Sequence, residues 1–179
     1  MLLENRRKPL VARIMDKIDK ALDSAPQIID VGVEPSRGDA AYERAAHCFD
    51  QGYNCAQSVM LSAAETFDVA IPAEIIKGAA AFTGGIGYCG CTCGALTGAS
   101  LFIGVISADD KKPRKRTKTL DLSGRFHDRF KDTFKSTCCR VLRKGSDFKD
   151  KQADRRCKEI TAMTARLLVD MVSKRMMVP

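Results

Sequence analysis

Apolar side chains recur at three- and four-residue intervals along most of the chain, and no segment has the two-residue alternation of a half-buried strand. Leu10, Ile14, Ile18 and Leu22 predict a charged amphipathic helix over about 8–23. Residues 24–37, with Pro26, Gly32 and Pro35, predict a linker. Ser36 followed by Asp39 is a capping-box start signal, and the helix beyond it places Tyr42, Ala45, Ala46 and Phe49 on one apolar face. Gly52-Tyr53-Asn54 breaks that helix, and Asn54 is a good N-cap for the next, whose stripe is Val59, Ala63 and Phe67. After Pro72, residues 73–82 predict a short buried helix.

A glycine-rich bend, Gly84 to Gly94, leads into a helix over 93–107. Gly94 and Gly98 lie four apart there, a spacing that allows close backbone approach within a core or across a dimer seam. Further on, Leu122, Phe126, Phe130, Phe134 and Cys138 fall four apart, which would put Cys138 on an inward helix face. Alternatively, Ser136-Thr137 starts a new helix and leaves Cys138 in its first turn. The last helix, about 150–174, has an inner face of Ala153, Cys157, Ile160, Thr164, Leu167 or Leu168, and Met171. The expected fold is all-α: one bundle of five or six helices spanning 38–176, preceded by an N-terminal helix and linker over 1–37.

Residues 78–108 carry no charge, long enough to span a bilayer. Five glycines break the run in the middle, however, and an irregular backbone in lipid leaves amides unpaired. Two buried helices joined by a bend are expected, with no membrane span. Arg6-Arg7-Lys8 is followed by charged positions and not by an apolar run, so no signal peptide is expected and a cytoplasmic location follows. The net charge of +8 is concentrated late in the chain and is densest from Lys111 to Lys118. No aromatic residue interleaves that run for base stacking, which disfavours nucleic acid. The run suits a solvated loop or a face for an acidic partner.

Eight cysteines change the picture most. In a reducing compartment they point to metal or thiol chemistry in preference to a disulfide framework. Cys48 reads as a small core hydrophobe. Cys55 and Cys93 begin helices and Cys138 lies near a possible helix start, where the dipole favours thiolate; Cys157 faces inward. Four thiolates from four elements suit an iron–sulfur cluster or zinc. Cys89 and Cys91 are spaced too closely with Cys93 for an ordinary zinc knuckle, and could be substitute ligands or resolving thiols.

Gly52-Tyr53-Asn54-Cys55-Ala56-Gln57-Ser58-Val59, then Cys93-Gly94-Ala95-Leu96-Thr97-Gly98, then Cys138 before Arg140, then Cys157, resemble the C_GCAxxG_C_C family of redox-active proteins. The resemblance covers about 41–173. It implies Cys55, Cys93, Cys138 and Cys157 as the core cysteines, with Cys89, Cys91 and Cys139 as additions. A similar helical module in split-Soret cytochrome c is associated with an iron–sulfur centre; this chain has no Cys-x-x-Cys-His, so the haem part does not transfer. The expected function is electron transfer or redox sensing through an iron–sulfur cluster, with an acidic redox partner. A thiol–disulfide oxidoreductase is one alternative. A helical interaction module with structural zinc or no metal is another.

Overall fold

The computed structural model describes residues 36–108 and 116–176, all within one compact unit, 35–179. The helix expected over 8–23, most of its linker, and most of the basic run lie outside the described residues. Seven α-helices are present among the described residues: α1 (Arg37–Asp50), α2 (Cys55–Thr66), α3 (Ala73–Gly78), α4 (Gly94–Ser107), α5 (Thr117–Phe134), α6 (Cys139–Leu142) and α7 (Lys151–Met176). The count exceeds five or six because of two short helices, α3 and α6. The only β-feature among the described residues is an isolated antiparallel bridge between Thr92 and Cys138.

Local chemistry sets the helix starts. The Ser36 hydroxyl accepts from the Asp39 amide, and the Asp39 carboxylate accepts from the Ser36 amide, closing a capping box. Asn54 caps α2 by accepting from the Ala56 and Gln57 amides, and Gln57 returns the contact. The Asn54 side-chain amide also donates to the Ala80 carbonyl at 3.2 Å, and that of Gln57 to Ile76 at 3.0 Å. These bonds tie the start of α2 to α3 and to the 3-10 turn at Ala79–Phe82. The segment expected as one buried helix over 73–82 is therefore two pieces, and α3 buries none of its residues.

Helix α2 is central, packed against α1, α4 and α7, and α4 lies between α2 and α5. Gly98 permits the α2–α4 contact: a Cβ there would sit 2.7 Å from the Ala56 Cα. Gly94 and Gly98 are thus used inside the chain. Helix α1 buries Gly38, Ala41, Ala45 and Cys48, a stripe one position away from the expected one, so Tyr42 and Phe49 lie at its edge. Its outer side is fastened to α7 by Asp39–Arg166 (2.9 Å), by Asp50–Lys158 (2.6 Å) and by the Tyr42 hydroxyl donating to Glu159. Such surface pairs add little each; the apolar stripe dominates.

The stripe Leu122, Phe126, Phe130 and Phe134 is buried as the spacing predicts, each phenylalanine contributing about 2–3 kcal/mol by removal from water. It does not continue to Cys138. Lys135 takes a left-handed conformation (φ 61°), its amide closes on Lys131, and α5 ends. Cys138 is the residue before α6.

Between the 3-10 turn and α4, five successive residues have left-handed backbone: Gly84, Gly85, Ile86, Gly87 and Tyr88, with φ from 57° to 73°. Such geometry costs about 1–2 kcal/mol for each side-chain-bearing residue, so Ile86 and Tyr88 are held there by their surroundings. Gly85 cannot be replaced: a Cβ would meet the Cys139 Cβ and the Cys91 nitrogen, each at 2.7 Å. The Gly90 amide donates to Gly84 and the Cys91 amide to Gly85, clamping the turn.

Candidate functional site

The capped start of α2 presents Cys55; Cys93 is the residue before α4; Cys139 opens α6; Cys157 lies in the second turn of α7. All four line one pocket of about 140 Å³, together with Asn54 and Arg143. One water needs about 10–15 Å³ by the same measure, so the space admits a polyatomic group. Gly94 keeps it open, since a Cβ there would strike the Cys55 Sγ and come within 2.8 Å of the Phe82 carbonyl. Short backbone bonds fix the walls: the Cys93 amide donates to Thr137 (2.8 Å) and the Cys139 amide to Cys91 (2.6 Å).

Three of the expected residues, Cys55, Cys93 and Cys157, meet at this pocket. Cys138 does not line it. Its thiol donates to the Gly90 carbonyl at 3.2 Å, and Cys139 takes the place the sequence reading gave it. Cys89 and Cys91 are exposed and do not line it either. Cys48 is buried in the core between helices.

Burial raises every pocket thiol above the usual range: Cys93 well above it, Cys55 to about 12, Cys139 to about 11, and Cys157 as well. Neighbouring pocket cysteines add to the shift: Cys157 and Cys139 act on Cys55, Cys55 on Cys93, and Cys157 on Cys139. This overturns the expectation that helix starts lower these thiols. The amides of Ala56, Ala95 and Leu96 do favour thiolate, but desolvation outweighs them.

Sequence reasoning also missed Arg143. It is 5% exposed. Its Nη1 donates to the Cys157 Sγ at 3.1 Å, its Nη2 donates to the Asp147 carbonyl at 2.8 Å, and the guanidinium lies 4.4 Å over the Phe148 ring. Its Nε is buried without a partner, and an unmet donor costs about 1–3 kcal/mol. A buried cation with a spare donor suits an anionic group in the pocket. Among the described residues, no three His, Cys, Asp or Glu side chains are gathered in a way that holds a metal ion as they stand. The thiols surround a space without closing on a point.

The family model that matches the chain, over residues 53–171, is described as "Putative redox-active protein (C_GCAxxG_C_C)". No curated protein and no solved structure matches. Among the described residues, no helix is long and apolar enough to cross a membrane.

Proposed function

The chain belongs to the C_GCAxxG_C_C family, and on that footing we propose that it holds an iron–sulfur cluster on Cys55, Cys93, Cys139 and Cys157 and works in electron transfer or redox sensing. The observation that carries this reading is the convergence of four thiols, from four separate elements, on one pocket beside a buried cation. The pocket also fits the group. Thiols spread around a cavity suit a ligand that brings its own inorganic sulfur to span the gaps, whereas a single zinc ion needs all donors within about 2.3 Å of one point. The unpartnered Arg143 Nε supplies a donor for sulfur, and such hydrogen bonds tune a cluster's potential. When bound, the cluster supplies one-electron chemistry. The chain's own part is to hold the four sulfurs, screen their charge with Arg143, and keep water out with the apolar walls. Exposed Arg140 and Lys144 near the left-handed turn suit an acidic redox partner.

Thiol–disulfide exchange within the pocket is less well supported. The first attack on an outside disulfide needs an exposed thiolate, and burial disfavours thiolate at Cys55 and Cys139.

Anaerobic reconstitution with iron and sulfide tests the reading. Wild type and Cys138→Ser should turn brown and bind iron. Cys139→Ser should lose most of it. A colourless wild type, or a Cys138→Ser variant that loses iron while Cys139→Ser keeps it, would overturn the assignment.

A further inference from the structure

We infer that Cys91 and Cys139 form a reversible disulfide, a modification site at which a small soluble disulfide reaches the buried thiol set from solvent. The isolated bridge fixes the register. Thr92 pairs with Cys138, the Cys93 amide donates to Thr137, and the Cys139 amide donates to Cys91. Cys91 therefore stands directly across from Cys139. Cys91 and Cys139 thus flank the bridge, one on each of the two paired segments, with Cys139 opening α6.

The separation suits the bond. The Cys139 amide nitrogen lies 2.6 Å from the Cys91 carbonyl oxygen, so by standard bond lengths their Cα atoms are no more than about 6.5 Å apart, within the reach of a disulfide. Gly85 gives a second measure. A Cβ placed on it would lie 2.7 Å from both the Cys139 Cβ and the Cys91 nitrogen, so little more than a missing methyl group separates the two residues. The rivals are less well placed. Cys138 already donates its thiol to the Gly90 carbonyl, and Cys89 is separated from the bridge by Gly90, whose φ is 73°.

Access is asymmetric. Cys91 is exposed, whereas Cys139 is 6% exposed and faces the pocket. The Cys91 sulfur attacks a low-molecular-weight disulfide and forms a mixed disulfide, releasing one small thiol, which takes the Cys91 proton. The Cys139 sulfur then attacks the Cys91 sulfur and expels the second small thiol, which takes the Cys139 proton. Two protein thiols are oxidised by two electrons, one small disulfide is reduced to two thiols, and the protons end on those thiols. The product draws Cys139 out of the pocket set and leaves Cys55, Cys93 and Cys157. A reducing thiol reverses it. The linkage itself stands on register; its effect on cluster loading rests on the function proposed above.

The test is oxidation of the full, metal-free chain with glutathione disulfide, followed by alkylation of free thiols, digestion and peptide mapping. The expected result is one intramolecular link joining the peptides of Cys91 and Cys139, with loss of two free thiols. Cys91→Ser should abolish it, while Cys89→Ser and Cys138→Ser keep it. A link between Cys89 and Cys91, a link omitting Cys139, or a stable glutathione adduct on Cys91 with no link would overturn the inference. In a separate arm, oxidised wild type should take up no iron until reduced, whereas oxidant-treated Cys91→Ser loads normally. If neither protein loads even when reduced, the cluster reading fails, and the mapping still decides the disulfide.

Discussion

Replacing Gly98 with alanine sets a methyl group against the backbone of Ala56, with the Cα at 2.7 Å and the carbonyl carbon at 2.9 Å. Neither atom belongs to a flexible side chain, so α2 and α4 must separate. Overpacking of this kind costs about 1–3 kcal/mol, and because backbone meets backbone the upper half of that range applies. Alanine returns up to about 1 kcal/mol of helix propensity. The net expectation is a loss of about 1–2 kcal/mol. Gly104, on the same helix, has nothing within 4 Å of a built Cβ. Gly104→Ala therefore keeps only the propensity term and should gain about 0.5–1 kcal/mol. Urea unfolding followed by circular dichroism should separate the two variants by about 2 kcal/mol. In a thermal scan the gap should be about 4–8 °C for a domain of this size. If Gly98→Ala is as stable as Gly104→Ala, the α2–α4 approach described above is wrong.

Gly94→Ala should push the Cys55 sulfur from its place, so iron uptake after anaerobic reconstitution should fall several-fold more than stability does. The metal-free protein should lose stability as pH rises. Thiols titrating near 9 when unfolded, but at about 11 for Cys139 and about 12 for Cys55 when folded, hold their protons more tightly in the native state. Their contribution is complete below pH 9 and erodes between about 9 and 12; urea midpoints across that window should show it, with a shallower fall in Cys139→Ser. Arg143→Met removes the cation bonded to Cys157, so the midpoint potential of a reconstituted protein should drop, while Arg143→Lys should restore part of it. An unchanged potential in the methionine variant would separate Arg143 from the redox centre.

The sequence made the helices legible where a side chain signals its own role. Ser36, Asp39 and Asn54 announce starts, and the Leu122-to-Phe134 stripe announces a buried face. Reading stopped where tertiary contact decides. Lys135 has no glycine-like signature, yet its left-handed backbone ends α5 and shifts the thiol facing the pocket from Cys138 to Cys139. Cys138 ends the extended approach and Cys139 opens α6, so the two thiols have different surroundings, and spacing alone cannot choose between them. Gly84, Gly85 and Gly87 predict a bend, but Ile86 and Tyr88 do not predict left-handed backbone; that comes from the clamp to Gly90 and Cys91. Arg143 stands among many basic residues, and only the turn over Phe148 buries it.

The placement of Cys157 on α7, which packs against α1, bears on biosynthesis. A nascent chain leaves the ribosome with Cys55 and Cys93 well before α7 has been translated, and N-terminal segments emerge first at about 5–20 residues per second. The pocket has no fourth wall until α7 docks, so any occupant must be delivered after α7 has been translated. The site is therefore completed by the docking of a distant helix and not by any local segment.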